Sequence, residues 1–230
     1  MENFGPVLFV LFIVLVIVLA VYSSIAAARR KKELAAWAAA HQWTFSSGRD
    51  AGFDNRFPNF PPLQQGSNRY AYNVMSGPWR DRRSFAFDYH YETHSTDSKG
   101  RRQTHHHHFS AVIVGSDLPL KPLKLRPESF FDKIAEFVGW DDIDFESAEF
   151  SRKFHVTCPD RRWAYDVLHA RTMEFLLSLP PHTVIFDTRW VYAARSGTWN
   201  VAQFETALDL VAGILDRFPD YLVRQLKGEN

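Results

Sequence analysis

The stretch Ser84-Phe85-Ala86-Phe87-Asp88-Tyr89-His90-Tyr91-Glu92 is the clearest strand signal in the chain. Its aromatic side chains alternate with small or polar ones. Because successive side chains of a strand point to opposite faces, four aromatic rings share one face. A second alternating segment runs from His105 to Val114, after a polar loop at about 95–103. Together the two segments predict a long β-hairpin, and the rest of the fold is interpreted outward from it.

The register of this hairpin follows from its apolar faces. The register that joins the apolar positions into one surface pairs Tyr89 with Phe109, Phe87 with Ala111 and Phe85 with Ile113. A slip of one residue would scatter this surface, because it moves every side chain of one strand to the other face. In the predicted register, the opposite face holds four potential metal ligands, namely His90, Glu92, His106 and His108.

These four side chains are the one place where metal chemistry suggests itself. Imidazole and carboxylate are zinc ligands, and cross-strand neighbours lie about 4.5 to 5.5 Å apart at Cβ, so two or three could converge on one ion. His94 could join from the loop edge. The alternative is a solvated strand end, because His105 to His108 must point alternately to both faces. We therefore expect no cofactor, with Zn²⁺ as the alternative.

The N-terminal segment predicts a membrane anchor. Phe4 to Ala28 contains no charged side chain and runs directly into a basic flank made of Arg29, Arg30, Lys31 and Lys32. Lipid offers no hydrogen-bond partner to the backbone, so such a segment must be helical, and about 20 apolar residues are enough to span a bilayer. We predict a transmembrane anchor at 1–28 and a basic, Ala-rich juxtamembrane helix at 29–40.

A secretory signal peptide is the competing interpretation, because Ala26 and Ala28 resemble a cleavage site. A signal peptide has its positive residues before the apolar run, whereas here they follow it. Basic residues stay on the cytoplasmic side, so we expect a single-pass protein of the cell membrane with its N-terminus outside and residues 41–230 in the cytoplasm. The single cysteine, Cys158, is compatible with a reducing compartment.

The charge balance limits the partners. The whole chain carries a formal charge of +1; Glu2 contributes −1 and the basic flank contributes +4, so the remainder sums to −2. A nucleic-acid-binding domain normally has a strongly basic face, so we expect no nucleic acid. The expected partners are the lipid bilayer, through the N-terminal helix, and a protein or lipid headgroups at the membrane surface.

Residues 41–230 predict an α+β domain: a mostly antiparallel sheet covered by helices, with a candidate break between two subdomains near 116–128. A packed loop is predicted at Ser46 to Ser67, and an edge strand or extended segment is predicted around Leu118 to Pro127, because its prolines disfavour the interior of a sheet. The other predicted elements are a helix from Ser129 to Gly139, helices after Asp160 and at Arg171 to Leu179, a hairpin of Thr183 to Phe186 with Trp190 to Ala194, and a helix from Asn200 to Pro219.

Several short motifs give the chain a resemblance to an uncharacterised family of bacterial single-pass membrane proteins. The motifs are His41-Gln42-Trp43-Thr44-Phe45, Arg56-Phe57-Pro58, Phe85-Ala86-Phe87-Asp88-Tyr89, Arg126-Pro127-Glu128, Phe145-Glu146-Ser147 through Phe154, and Ala164 to His169 with Met173-Glu174-Phe175-Leu176. The resemblance implies a fold and a membrane address and transfers no catalytic residue. The run His105 to His108 departs from the family pattern.

Three classes of function follow from these observations. The first is a membrane-tethered, non-enzymatic binding or scaffolding module, because tethering raises the local concentration of a weak site. The second is a metal-binding or metal-sensing domain that uses the histidine-rich hairpin. The third is a hydrolase whose site is assembled from distant loops. The chain has no Gly-x-Ser-x-Gly, no phosphate loop, no dinucleotide fingerprint and no His-Glu-x-x-His, which disfavours an enzyme.

Overall fold

The computed structural model of the protein describes residues 5–128 and 141–229. A long N-terminal helix is followed by an antiparallel sheet with helices packed on it, which confirms the predicted α+β class. The helices are α1 (Gly5–Ala40), α2 (Phe53–Arg56), α3 (Ala148–Lys153), α4 (Arg161–Val167), α5 (Ala170–Leu177), α6 (Val201–Leu215) and α7 (Asp220–Lys227). The strands are β1 (Thr44–Ser46), β2 (Ser67–Trp79), β3 (Arg82–Thr96), β4 (Arg102–Gly115), β5 (Leu123–Pro127), β6 (Asp141–Asp142), β7 (Phe154–Cys158), β8 (Thr183–Phe186) and β9 (Trp190–Ser196). The helix predicted from Ser129 to Gly139 lies outside the described residues.

The nine strands of the described residues belong to one sheet, in the order β1-β2-β3-β4-β9-β8-β5-β7-β6. The β3–β4 pairing has the predicted register, with Tyr89 opposite Phe109 and Phe87 opposite Ala111. The prediction of an edge strand near Leu118 to Pro127 is wrong, because β5 lies between β8 and β7. Pro122 lies before the strand and Pro127 is its last residue. At these positions the prolines leave the hydrogen bonds in the middle of β5, to β8 and to β7, intact.

The two faces of the sheet hold separate apolar clusters. One face packs against α6, whose Asn200 and Gln203 form a capping box at the helix start. The opposite face is covered by the segment that holds α2 and a short 3₁₀ turn at Pro61–Leu63. The buried aromatic side chains of that second cluster are Phe53, Phe57, Phe60, Phe85, Phe87, Tyr89 and Tyr192. The predicted loop at Ser46 to Ser67 therefore packs down on the sheet, as expected from its phenylalanines.

Helix α1 is continuous from the apolar segment into the core of the domain. Residues 8–29 are exposed, and the segment Leu8–Ala40 is long and apolar enough to cross a membrane. The last turns are different, because Leu34, Trp37 and Ala38 are buried against the sheet and α6. Trp37 also donates a hydrogen bond from its indole to Glu205 on α6, at 2.7 Å. The same helix thus begins as a candidate membrane span and ends as a packed core helix.

Candidate functional site

The point where α1 leaves the domain is fixed by a buried charge pair. Arg30 binds Asp88 through both Nη atoms, at 2.7 and 2.8 Å, and its Nε donates to the carbonyl of Trp199 at 2.7 Å. The Asp88 side chain is fully buried. Asn73 and Ser110 donate to the same carboxylate, so each of its two oxygens accepts two hydrogen bonds. Such a pair is tolerated inside a protein because its hydrogen bonds are satisfied.

The predicted basic flank is therefore divided between two roles. Arg30 points into the domain and is held by Asp88. Arg29 lies on the exposed side of α1, where it pairs with Glu33 one turn away, and Lys31 and Lys32 are exposed beside it. Three of the four cations thus surround the helix at the end of its apolar segment, whereas the fourth connects the helix to the sheet.

Three of the four predicted metal ligands lie close together, beginning at His90, two residues after Asp88 on β3. His90 Nε2 lies 3.2 Å from His106 Nδ1, and His106 Nδ1 lies 3.3 Å from a carboxylate oxygen of Glu92. One ligand atom from each of the three side chains falls within 4.8 Å of the other two. His90 is buried, Glu92 is partly exposed, and His106 is open to solvent. The register of the hairpin thus brings these three side chains together.

His108, the fourth predicted ligand, lies beside this group but has a different partner. Its Nδ1 lies 3.2 Å from the hydroxyl of Tyr72, and its ring centroid lies 4.7 Å from that of His90. Burial lowers the pKa of His108, and the neighbouring rings of His90 and His106 lower it further. His108 therefore favours the neutral form and packs against the cluster.

The remaining histidines of the hairpin are engaged elsewhere. His94 contacts Thr104 at 3.1 Å and Ser67 at 3.1 Å. His105 contacts Ser95, and His107 contacts Thr93 while stacking on Tyr91, so both lie on the opposite face of the hairpin. The run His105 to His108 alternates between faces, as its position in a strand requires.

Asn68 is the residue of this site that the sequence pattern did not reveal. Its carbonyl lies 3.0 Å from His90 Nδ1, and its side-chain amide donates to Glu92 at 2.6 Å. The residue has φ of 49°, next to a register shift in β2, and asparagine tolerates this left-handed conformation better than most residues. The Asn68 hydrogen bond lowers the pKa of the Glu92 carboxyl, and the nearby imidazoles lower it further.

A groove of about 1020 Å³ opens beside the hairpin. It is lined by aromatic, polar and basic groups that include Tyr91, His107, Phe109, Tyr192 and Arg195. Strand β9 pairs with β4 only from Ser110 to Gly115, although β4 begins at Arg102. Among the described residues, no strand is paired with β4 on this side between Arg102 and His108. The groove therefore runs beside an edge of β4 that no strand of the described residues covers.

Comparison with known proteins adds a fold relationship. No protein-family model and no curated protein sequence matches the chain. Among solved structures, the chain is similar to the crystal structure of the mycobacterial trehalose monomycolate transport factor A, TtfA, with 14% sequence identity and a TM-score of 0.61. The match covers 83% of this chain and 96% of that chain. At this level of identity the likeness establishes a shared fold.

Proposed function

We propose that the protein is a non-enzymatic binding or scaffolding module, held at the cytoplasmic face of the cell membrane by α1, that receives an extended segment of a partner protein along the open edge of β4. The observation behind this proposal is the continuity of α1, which joins a candidate membrane span to the core of the sheet without a linker. A domain attached in this way stays next to the bilayer, where tethering favours a weak site.

The exposed part of the basic flank supports the proposed orientation. Arg29, Lys31 and Lys32 surround the helix where its apolar segment ends, and anionic lipids of the cytoplasmic leaflet attract such cations. Basic residues near a span are also retained on the cytoplasmic side. A reporter that is active only outside the cytoplasm, fused after Asn230, is expected to be inactive, and an active fusion would reverse the orientation.

The edge of β4 supports the proposed mode of binding. An extended peptide can add to an exposed strand edge, with backbone hydrogen bonds giving affinity and side-chain pockets giving specificity. Here the groove offers Tyr91 and Phe109 as apolar contacts and Arg195 as a cation. These contacts suit a segment that alternates apolar and acidic side chains.

The fold relationship supports a role beside a membrane transport process. TtfA is described as a transport factor for trehalose monomycolate, and that statement belongs to TtfA. For this chain we propose the general role, an accessory module of a membrane transport assembly, without carrying over the cargo. The partner segment would then belong to a membrane protein of that assembly.

Site-specific photo-crosslinking in native membranes tests this proposal. A photoreactive residue replaces Ser196, which is exposed at the rim of the groove, in the full-length chain. The matched control replaces Ser46, which is exposed on β1, the edge strand three places from β4 in the sheet order. We expect a discrete protein adduct from position 196 and none of that mass from position 46. Identical adducts at both positions, or none at 196, would contradict a binding site at this edge.

A further inference from the structure

We propose that His90, Glu92 and His106 bind one Zn²⁺ ion and leave a fourth coordination position open to a ligand from solution. The three ligands point to the other face of the hairpin from Tyr91 and His107, although His106 also lines the groove described above. The bound ion would connect β3 to β4 next to Asp88, the residue that binds Arg30 of α1.

The distances between the ligand atoms match those of a zinc site. With Zn–N and Zn–O bonds of about 2.0 to 2.2 Å, two ligands of a tetrahedral ion lie about 3.3 Å apart. His90 Nε2 and His106 Nδ1 are 3.2 Å apart, and His106 Nδ1 and the Glu92 oxygen are 3.3 Å apart. The third pair also lies within 4.8 Å. Small side-chain rotations would therefore complete the triangle of ligands.

The hydrogen bond to Asn68 sets the tautomer that zinc requires. A backbone carbonyl only accepts, so the 3.0 Å contact with Asn68 places the proton of His90 on Nδ1. The lone pair of His90 is then on Nε2, the atom that faces His106. This is the arrangement by which metal-ligating histidines are oriented in proteins, with the second ring nitrogen donating to a carbonyl.

Asn68 also prepares the carboxylate. Its amide donates to the Glu92 oxygen that contacts His106, at 2.6 Å, which favours the charged form of Glu92. One residue of β2 thus orients one ligand on β3 through its backbone and a second through its side chain. Ligands supported in this way lose less conformational freedom when they bind an ion.

The ligand set selects zinc over the common oxygen-bound cations. Two imidazole nitrogens and one carboxylate suit Zn²⁺, whereas Mg²⁺ and Ca²⁺ prefer oxygen ligands throughout. Two neutral imidazoles and one carboxylate leave the bound ion with a net charge of +1. An anionic fourth ligand, such as a phosphate or carboxylate group, would neutralise it, and solvent reaches the site at His106, whose side chain is 58% exposed.

Zinc titration of the full-length protein tests this site. Untagged protein in detergent is stripped with a chelator and titrated with Zn²⁺ against a fluorescent competitor. We expect one high-affinity equivalent. His106→Ala and Glu92→Gln should each weaken binding at least 10-fold, and Asn68→Ala should weaken it about 10-fold through loss of orientation. Thermal unfolding of each variant checks that it is folded, and Glu92→Gln keeps the test valid if His106→Ala unfolds.

The matched control is His105→Ala, which removes the adjacent imidazole on the opposite face of the same strand. We expect this variant to keep the affinity of the unmodified chain. If His105→Ala weakens Zn²⁺ binding as much as His106→Ala does, the histidine run binds metal without a defined site and the proposal fails. The absence of a stoichiometric equivalent would also overturn it, while the crosslink from position 196 would be unaffected by either result.

Discussion

The β3–β4 hairpin has two halves with the same backbone pattern and different chemistry. Its base, Ser84 to Asp88 paired with Ser110 to Val114, lies inside the sheet between β2 and β9. Its arm, His90 to Thr96 paired with Arg102 to His108, extends past the end of β9. In the base, the charged group Asp88 is buried and fully engaged; in the arm, ionisable groups gather at a surface that solvent reaches.

This difference separates stability from binding within one hairpin. Removing a polar group from the base leaves a partner buried and unsatisfied, which is costly. Removing an exposed group from the arm leaves its partner within reach of water, which replaces the lost hydrogen bond. We therefore expect substitutions in the base to change the free energy of unfolding, and substitutions of exposed residues in the arm to change ligand binding at nearly constant stability.

The largest effect is expected for Asp88→Ala. The substitution leaves the Arg30 guanidinium without its buried counterion, which typically costs about 3 to 5 kcal/mol. Thermal or chemical unfolding in detergent would measure this loss. The matched control is Glu33→Ala, which breaks the exposed pair with Arg29 and should cost less than about 0.5 kcal/mol. Equal losses for the two variants would show that the docking of α1 does not depend on this pair.

The next effect is a pH dependence at His182, whose ring packs against Trp199 beside the base. Burial lowers the pKa of His182 to about 4 from the ordinary 6.5. The unfolded chain therefore binds the proton more tightly, so this contribution is complete above pH 6.5 and is lost as the pH falls toward 4. The shift corresponds to at most about 3 kcal/mol, at about 1.4 kcal/mol for each pKa unit.

Unfolding free energies of the unmodified chain and of His182→Gln, compared between pH 7 and pH 4, would isolate this contribution. The variant should lose less stability over that interval than the unmodified chain. Parallel pH profiles would mean that His182 is already solvated in the folded protein.

Two glycines test how tightly the arm is packed: Gly66 lies against the arm, and Gly100 lies at its tip. A Cβ on Gly66 would lie 2.1 Å from the backbone oxygen of Glu92, whereas a Cβ on Gly100 at the hairpin tip meets nothing within 4 Å. Both residues have positive φ, which costs alanine about 1 kcal/mol. We expect Gly66→Ala to lose about 2 kcal/mol and Gly100→Ala about 1 kcal/mol in chemical unfolding. A larger loss of unfolding free energy for Gly100→Ala than for Gly66→Ala would contradict this expectation and would show that the tip of the hairpin is more tightly constrained than the contact at Gly66.

The smallest effect is expected for His105→Ala. The side chain is exposed and contacts Ser95 on the solvated part of the arm. Its removal should change the free energy of unfolding by less than about 0.5 kcal/mol. A loss above 1 kcal/mol would contradict the division of the hairpin into a stabilising base and a binding arm.

The hairpin could be predicted because its signal is local. Alternating aromatics define the faces of β3, and matching them to Phe109 and Ala111 fixed the register. Strand β2 was not predicted, although it is 13 residues long, because two register shifts interrupt its alternation and Gly77-Pro78 resembles a turn. The prediction of an edge strand fails for β5 because proline disrupts only the interior of a strand, whereas Pro122 and Pro127 lie before β5 and at its last residue.

The candidate site was predictable only where it lies on one hairpin. His90, Glu92 and His106 follow from the register of two neighbouring strands. Asn68 and the Arg30–Asp88 pair require contacts across the fold, and the latter joins residues 58 positions apart. From sequence, Arg30 is indistinguishable from its three basic neighbours, and Asp88 resembles any polar residue on the solvent face of a strand.

The absence of a joint in α1 restricts how the domain can move. A helix that runs unbroken from Gly5 to Ala40 and is clamped at Arg30 transmits its own tilt and rotation directly to the sheet. Turning the helix by one residue, about 100°, would swing the histidine arm around the helix axis by the same angle. A membrane protein that binds the apolar part of α1 would therefore determine which side of the domain faces it.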